Sequence, residues 1–157
     1  MSVRHAKLRD VEALGELLDG YRVFYDQPSD LASARNFLAH RLGLGDSHLL
    51  VYEGEGGELL GFVQLYPLFS TVRLAPLWLL NDLFVAPNAR ERGIGRALMI
   101  AARDLAQANG VRHLKLATQI ENHTAQRLYE SLGWQRDTVF HHYALTVDDK
   151  VLEESCP

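Results

Sequence analysis

The chain holds a single cysteine in 157 residues, Cys156, beside the C-terminus. That excludes an intrachain disulfide framework and a Cys-rich zinc site. A nucleophilic role is disfavoured too, because chain ends are usually poorly ordered. No stretch approaches the ~18 apolar residues of a membrane span; Leu77–Val85 is broken by Asn81 and Asp82. The opening Met1-Ser2-Val3-Arg4-His5 lacks the apolar core of a signal peptide, so the cytoplasm is the default location. Positive charge is not in excess: the formal net charge is −4, which argues against a nucleic-acid binder. Slight acidity suits a cationic substrate, yet it is equally common in proteins without one. Seven histidines form no His-Glu-x-x-His or similar cluster, and the rings of His141-His142 should face opposite sides of a strand, so no metal is expected. Repeats, low-complexity tracts and long linkers are missing, and the length fits one domain over residues 1–157.

What is present is a mixed pattern. Val11, Leu14, Leu18, Tyr21 and Tyr25 follow helical spacing, with Asp10 placed to cap the helix. A second helix is expected from Ser29 or Asp30 to Leu42, ended by Gly43-Leu44-Gly45-Asp46, with a turn at Asp26-Gln27-Pro28 between the two. His48–Glu53 and Leu59–Leu68 read as strands joined by the tight Gly54–Glu58 connection, and Pro67 and Pro76 punctuate the next connection. Leu77–Val85 is apolar enough for a strand buried on both faces. A helix to about Ala108 has Ala97, Leu98, Ala101, Leu105 and Ala108 on one face and stops at Asn109-Gly110. Then come a strand at Val111–Thr118, a helix at Asn122–Ser131, and one or two strands within Trp134–Val147. This order predicts one α/β domain, with parallel strands in its β-α-β part.

The most informative stretch runs from Leu79 to Leu98. An apolar strand enters the loop Arg90-Glu91-Arg92-Gly93-Ile94-Gly95-Arg96, which opens directly into an amphipathic helix. Free backbone N–H groups, flanking arginines and a positive helix end converge there, which suits a pyrophosphate. The Gly-x-x-x-x-Gly-Lys-Ser/Thr loop is absent, disfavouring an ATPase or GTPase built on it. The dinucleotide fingerprint Gly-x-Gly-x-x-Gly fails at its third position, which is Leu98, and the stretch lies mid-chain rather than in a first βαβ unit. Taken alone, two glycines could still mark no more than a tight strand–helix turn.

Arg90-x-x-Gly93-x-Gly95 resembles the Arg/Gln-x-x-Gly-x-Gly/Ala signature of the GNAT superfamily of acetyl-CoA-dependent N-acetyltransferases. Asn122-His123-Thr124-Ala125-Gln126-Arg127-Leu128-Tyr129, continuing to Gly133-Trp134, is similar to that superfamily's Asn-x-x-Ala-x-x-Leu-Tyr-x-x-x-Gly-Phe segment. The resemblance covers roughly Leu77–Trp134. One departure is Glu91, where relatives often carry glycine. The resemblance implies a mixed, mostly antiparallel sheet with a splayed parallel strand pair and about four helices. Acetyl-CoA is implied as co-substrate, with Leu83, Phe84 and Val85 along its pantetheine arm. Arg90, Arg92, Gly93, Ile94, Gly95 and Arg96 would surround its pyrophosphate, or the arginines would be solvated.

By the same resemblance Asn122 would bond the pantetheine arm or serve as a helix cap, and Tyr129 would protonate the departing thiolate or be a core aromatic. A tyrosine hydroxyl (reference pKa about 10) can serve a thiol of about 8.5. An alkyl amine of pKa near 10.4 must lose a proton at a cost of about 4–5 kcal/mol at pH 7. Asp82 is the first choice to relay it through water, or is simply a hydrogen-bonded strand residue; Glu53 is the second choice. Tyr25, Asp26, Asp30 and Asp82 would form the acceptor site for a small amine, an amino acid or a lysine side chain. Relatives of this kind imply a homodimer through Val139–Thr146. The alternative is a non-catalytic acyl-CoA sensor or interaction module on the same fold, and a third reading is transfer of a different acyl group.

Overall fold

A computed structural model describes residues 2–148. Two compact units divide at Gln119, residues 2–119 and 120–148.

The first unit is a five-stranded sheet in the order β1 (Ser2–His5), β2 (His48–Glu53), β3 (Leu59–Ser70), β4 (Ala75–Val85) and β5 (Leu114–Lys115). All neighbours are antiparallel except β4 and β5, which run parallel only at Trp78↔Leu114 and Leu79↔Lys115. Beyond Leu79 the parallel pairing stops, and among the described residues β4 has no ladder partner along that side. This is the splayed, mostly antiparallel sheet that the resemblance implied. The expected strand over Val111–Thr118 shrinks to two residues for the same reason.

Helices α1 (Val11–Phe24) and α2 (Leu31–Leu44) cover one face of the sheet. Leu14, Leu17, Leu18, Ala34 and Leu38 pack there on Leu49, Val51, Phe62 and Phe84. Asp30 caps α2 by accepting from the Ser33 N–H, and Gly45 ends it in the left-handed conformation. Asp10 does not cap α1 by its side chain as expected. Its carboxylate instead accepts from the Lys7 N–H and from the Arg4 guanidinium, closing a short 3₁₀ turn at Leu8–Asp10.

Helix α3 (Ile94–Ala108) lies on the opposite face and buries Ile94, Leu98, Met99, Ala102 and Ala106. That face is rotated from the expected one: Ala97, Ala101 and Leu105 are half-buried and Ala108 is exposed. It comes close because β3 offers Gly61. A Cβ there would lie 2.9 Å from the Phe84 carbonyl oxygen, 3.2 Å from Leu98 and 3.3 Å from Ile94.

Pro67 and Pro76 do not interrupt the strands. They pair with Trp78 and Phe69 in the far arm of the β3–β4 hairpin, past the reach of β2, where β3 has one neighbour. Proline is tolerated at such edges because no second ladder bond is asked of it.

Strand β4 contains a bulge. Leu65 faces Leu80 and Gln64 faces Asp82, leaving Asn81 unpaired. The extra residue reverses the alternation. Trp78 and Leu80 therefore share a face with Leu65 and Pro67, while Asp82 and Phe84 share the other with Gln64 and Phe62. β4 thus buries both faces, but in succession along its length.

The second unit contains α4 (His123–Ser131), capped where Asn122 Oδ1 accepts from the Ala125 N–H at 3.2 Å. Gly133, at φ 93°, ends it in a Schellman turn: the Gly133 and Trp134 N–H groups bond the Glu130 and Tyr129 carbonyls at 3.1 Å each. The strands expected within Trp134–Val147 are not found. Among the described residues this stretch enters no β-ladder, and Val139, Phe140, Tyr143 and Leu145 are exposed. Propensity for β structure does not supply a pairing partner. Among the described residues, no helix is long and apolar enough to cross a membrane.

Candidate active site

The bulge places two consecutive side chains, Asn81 and Asp82, in one pocket of about 360 Å³ between the sheet and α1–α2. Asp82 is 8% exposed and Gln64, opposite it, 1%. A polar chain holds them. Ser47 Oγ donates to Gln64 Oε1 at 2.9 Å, and Gln64 Nε2 donates to Asp82 Oδ2 at 3.0 Å. Asn81 Nδ2 donates to Asp82 Oδ1 at 3.0 Å. Each Asp82 oxygen thus accepts one N–H and has a second lone pair for a substrate or water. Tyr66 shares the pocket; burial foremost, then the Asp82 charge, pushes its hydroxyl up to about 12. At neutral pH Tyr66 is a neutral hydrogen-bonding group and no base.

Three residues past Asp82, β4 ends at Val85 and leads into the loop. Gly93 stands at φ 77° with open space where a Cβ would be, and α3 starts with no side-chain cap on its first N–H groups. A 15-residue helix with an uncapped start offers Ile94, Gly95 and Arg96 amides to an anion. Arg90 is engaged elsewhere: its Nε donates to the Val85 carbonyl at 3.2 Å, and its guanidinium lies over the Phe24 and Phe84 rings at 5.8 and 5.6 Å. Arg92 reaches back to the Asn88 carbonyl at 3.1 Å. Glu91 adopts φ 63°, a left-handed conformation that glycine adopts without strain.

A larger cavity, about 510 Å³, opens where β4 begins and is lined by Arg73, Arg112 and His113 among others. It holds no carboxylate and lies at the far end of β4 from the glycine loop.

The sequence profile of the Acetyltransferase (GNAT) family matches residues 11–134, spanning both the pocket and the loop. The chain belongs to that family. It is 47% identical over 150 residues to the uncharacterized N-acetyltransferase YhfO of Bacillus subtilis, covering 96% of this chain and all of that one. It is 26% identical over 143 residues to the D-amino-acid N-acetyltransferase of Saccharomyces cerevisiae, covering 88% of each. A crystal structure of a probable acetyltransferase superposes with a TM-score of 0.89 at 35% identity, over 95% of this chain and 99% of that one. The protein is an N-acetyltransferase of the GNAT type, and enzymes of this family use acetyl-CoA.

Within this acetyltransferase the expected residues separate. Asp82 lies on β4 in the pocket lining, and Leu83–Val85 follow it on β4 beyond the last β4–β5 pair. Glu53 does not join them: its carboxylate is bound to Arg4 Nε at 2.7 Å, outside the pocket lining. Tyr25, Asp26 and Asp30 also lie outside the lining. Tyr25 packs on Tyr21 and Phe24, Asp26 occupies a left-handed turn at φ 60°, and Asp30 is the α2 cap. The lining comes from one turn away on each helix, with Tyr21 and Arg22 on α1 and Ser33 and Phe37 on α2. Asn122 and Tyr129 belong to the second unit, where Asn122 is a cap and half-buried Tyr129 packs on Trp134 at 6.3 Å. Gln64 and Tyr66 were missed by sequence reasoning. The available signal was a glutamine inside the apolar run Leu59–Leu68.

Proposed function

We propose that the chain acts as a single N-acetyltransferase domain that moves the acetyl group of acetyl-CoA to a primary amine by direct attack. The observation that carries this is the continuity of β4: its bulge presents Asp82 to a pocket, its splayed end leaves backbone unpaired toward β5, and it feeds the uncapped start of α3. The α3 amides, with Arg92 and Arg96, suit the diphosphate. Backbone at Leu83–Val85 suits the pantetheine arm, where an N–H near Leu83 or Phe84 would stabilise the developing oxyanion. Asp82 takes the proton of the incoming ammonium through water. Tyr129, assigned by its place in the motif, returns a proton to the thiolate. A homodimer is part of this reading, supported by the exposed apolar side chains of residues 139–145.

The test is release of CoA thiol from acetyl-CoA against a panel of amines. Thiol should appear only when a suitable amine is present. Tyr129→Phe should lower kcat by roughly 100-fold or more, the scale of a lost general acid, while acetyl-CoA affinity stays similar. Unchanged turnover would remove Tyr129 from the mechanism.

A further inference from the structure

The acceptor pocket contains one acid and one base. Asp82 stands on β4, clamped by Asn81 and Gln64, and Arg22 stands on the last turn of α1; the rest of the lining is neutral. From this pairing we propose that the acceptor is an amine that also bears a carboxylate, an amino acid or similar zwitterion. Asp82 receives the ammonium and Arg22 reads the carboxylate. The proposal rests on the acetyltransfer reading of the same site and adds the substrate class and its specificity residue.

Arg22 is positioned for this role. One Nη1 hydrogen goes to the Pro28 carbonyl at 3.1 Å, which fixes the side chain at the α1–α2 turn. Its acidic neighbour Asp19 comes no nearer than 4.0 Å. Asp19 is instead hydrogen-bonded by Ser29 Oγ at 2.6 Å and by the Asp30 N–H at 2.7 Å, one donor on each oxygen. The guanidinium therefore retains donors for an incoming carboxylate, which it can grip with two parallel bonds. Ser33, on the facing turn of α2, lines the pocket as well.

The charge pattern also separates the acceptor classes. A polyamine pocket would require several acids and no cation, whereas this one sets a guanidinium against a single carboxylate. A lysine within a polypeptide brings an ammonium with no carboxylate close by, and leaves Arg22 facing neutral backbone. Between the two charges, Leu18, Tyr21, Ala34 and Phe37 form apolar wall suited to the side chain of an amino acid.

The experiment pairs amino acids with the amines left when the carboxylate is removed: leucine with isoamylamine, phenylalanine with phenethylamine, lysine with cadaverine, using both enantiomers. Thiol release should give a kcat/KM roughly tenfold or more higher for each amino acid than for its amine, the scale of a lost charge-assisted bond. Arg22→Ala should raise KM for the amino acids and bring the ratio toward one, with Arg22→Lys intermediate. Equal or better use by the wild type of the amines, or of lysine-containing peptides, would overturn the proposal while leaving acetyltransfer intact. That comparison requires no variant, so a folding defect in Arg22→Ala does not blunt it. Transfer to no amine at all would overturn the acetyltransfer reading itself. Calorimetric titration of the same pairs would then still read the preference: tighter binding of the amino acids supports the zwitterion pocket, and equal or weaker binding overturns it.

Discussion

Single residues carry the sharpest contrast between what the sequence displays and what it hides. Gly93 and Asp82 are conspicuous in the string, one because only glycine rests easily at φ 77°, the other because a carboxylate interrupts an apolar strand. Glu91 is conspicuous only by departing from a motif, and its φ of 63° shows what the departure involves. A left-handed non-glycine residue is strained by about 1–2 kcal/mol, and a glycine there would return about 0.4–1 kcal/mol in unfolded-state entropy. Glu91→Gly should therefore raise Tm by up to a few degrees. If the loop holds the diphosphate as proposed, it should also tighten acetyl-CoA binding several-fold at low salt, since the substitution removes a carboxylate from that loop. Thermal melts and titrations at two ionic strengths check this; a lower Tm would mean that Glu91 makes compensating contacts. Gln64 shows the opposite case. Nothing in its local sequence reveals that it bridges Ser47 to Asp82, because the bridge joins residues 17 and 18 positions away on either side.

At the scale of elements, most helix ends were legible because caps and breakers are local, although Asp10 does not cap α1 and α2 runs through Gly43 to Leu44. Asp30, Gly45, Asn122 and Gly110 act where they stand in the sequence. Strand lengths were less so, because a strand exists only through its neighbour. The prolines at 67 and 76 read as breaks until the sheet shows an open edge there, and the Asn81 bulge is invisible without the register against β3. The fit of α3 onto the sheet depends on one position. At Gly61 a Cβ would meet backbone, the Phe84 oxygen at 2.9 Å, which cannot rotate away. Gly61→Ala should thus cost about 1–3 kcal/mol by overpacking. It should also weaken acetyl-CoA binding by displacing the start of α3 from the end of β4. Gly43→Ala is the control: it sits within α2 with nothing within 4 Å, and should stabilise by up to about 1 kcal/mol. Denaturation should move the two variants in opposite directions, and cofactor titration should shift only for Gly61→Ala; a Gly61→Ala protein of wild-type stability would show that α3 packs less tightly.

The first unit as a whole is tied at its N-terminal edge by one side chain. Arg4 of β1 donates to Asp10 at 2.8 and 2.9 Å and to Glu53 of β2 at 2.7 Å. This joins the sheet edge to the turn from which α1 departs. β1 was not legible as a strand, since four residues at a chain end show too short a period. The Arg4 hydrogen bonds, more than its charge alone, hold the Asp10 carboxyl below the ordinary range against the opposing effect of burial. A carboxyl whose folded pKa is depressed stabilises the fold above its unfolded value, about 3.9, and loses that stabilisation as pH falls through the folded value. Arg4→Met should destabilise at pH 7 by about 2–3 kcal/mol, somewhat less than for a fully buried pair because Arg4 remains partly solvated. The deficit should shrink as pH drops from about 5 toward 2, where the wild type loses the same interaction. Urea unfolding across that range measures it, and a deficit independent of pH would assign the loss to packing of the Arg4 stem instead. Because α1 carries Tyr21 and Arg22 while the glycine loop belongs to α3, weakening this anchor should raise the KM for the acceptor before it changes acetyl-CoA affinity.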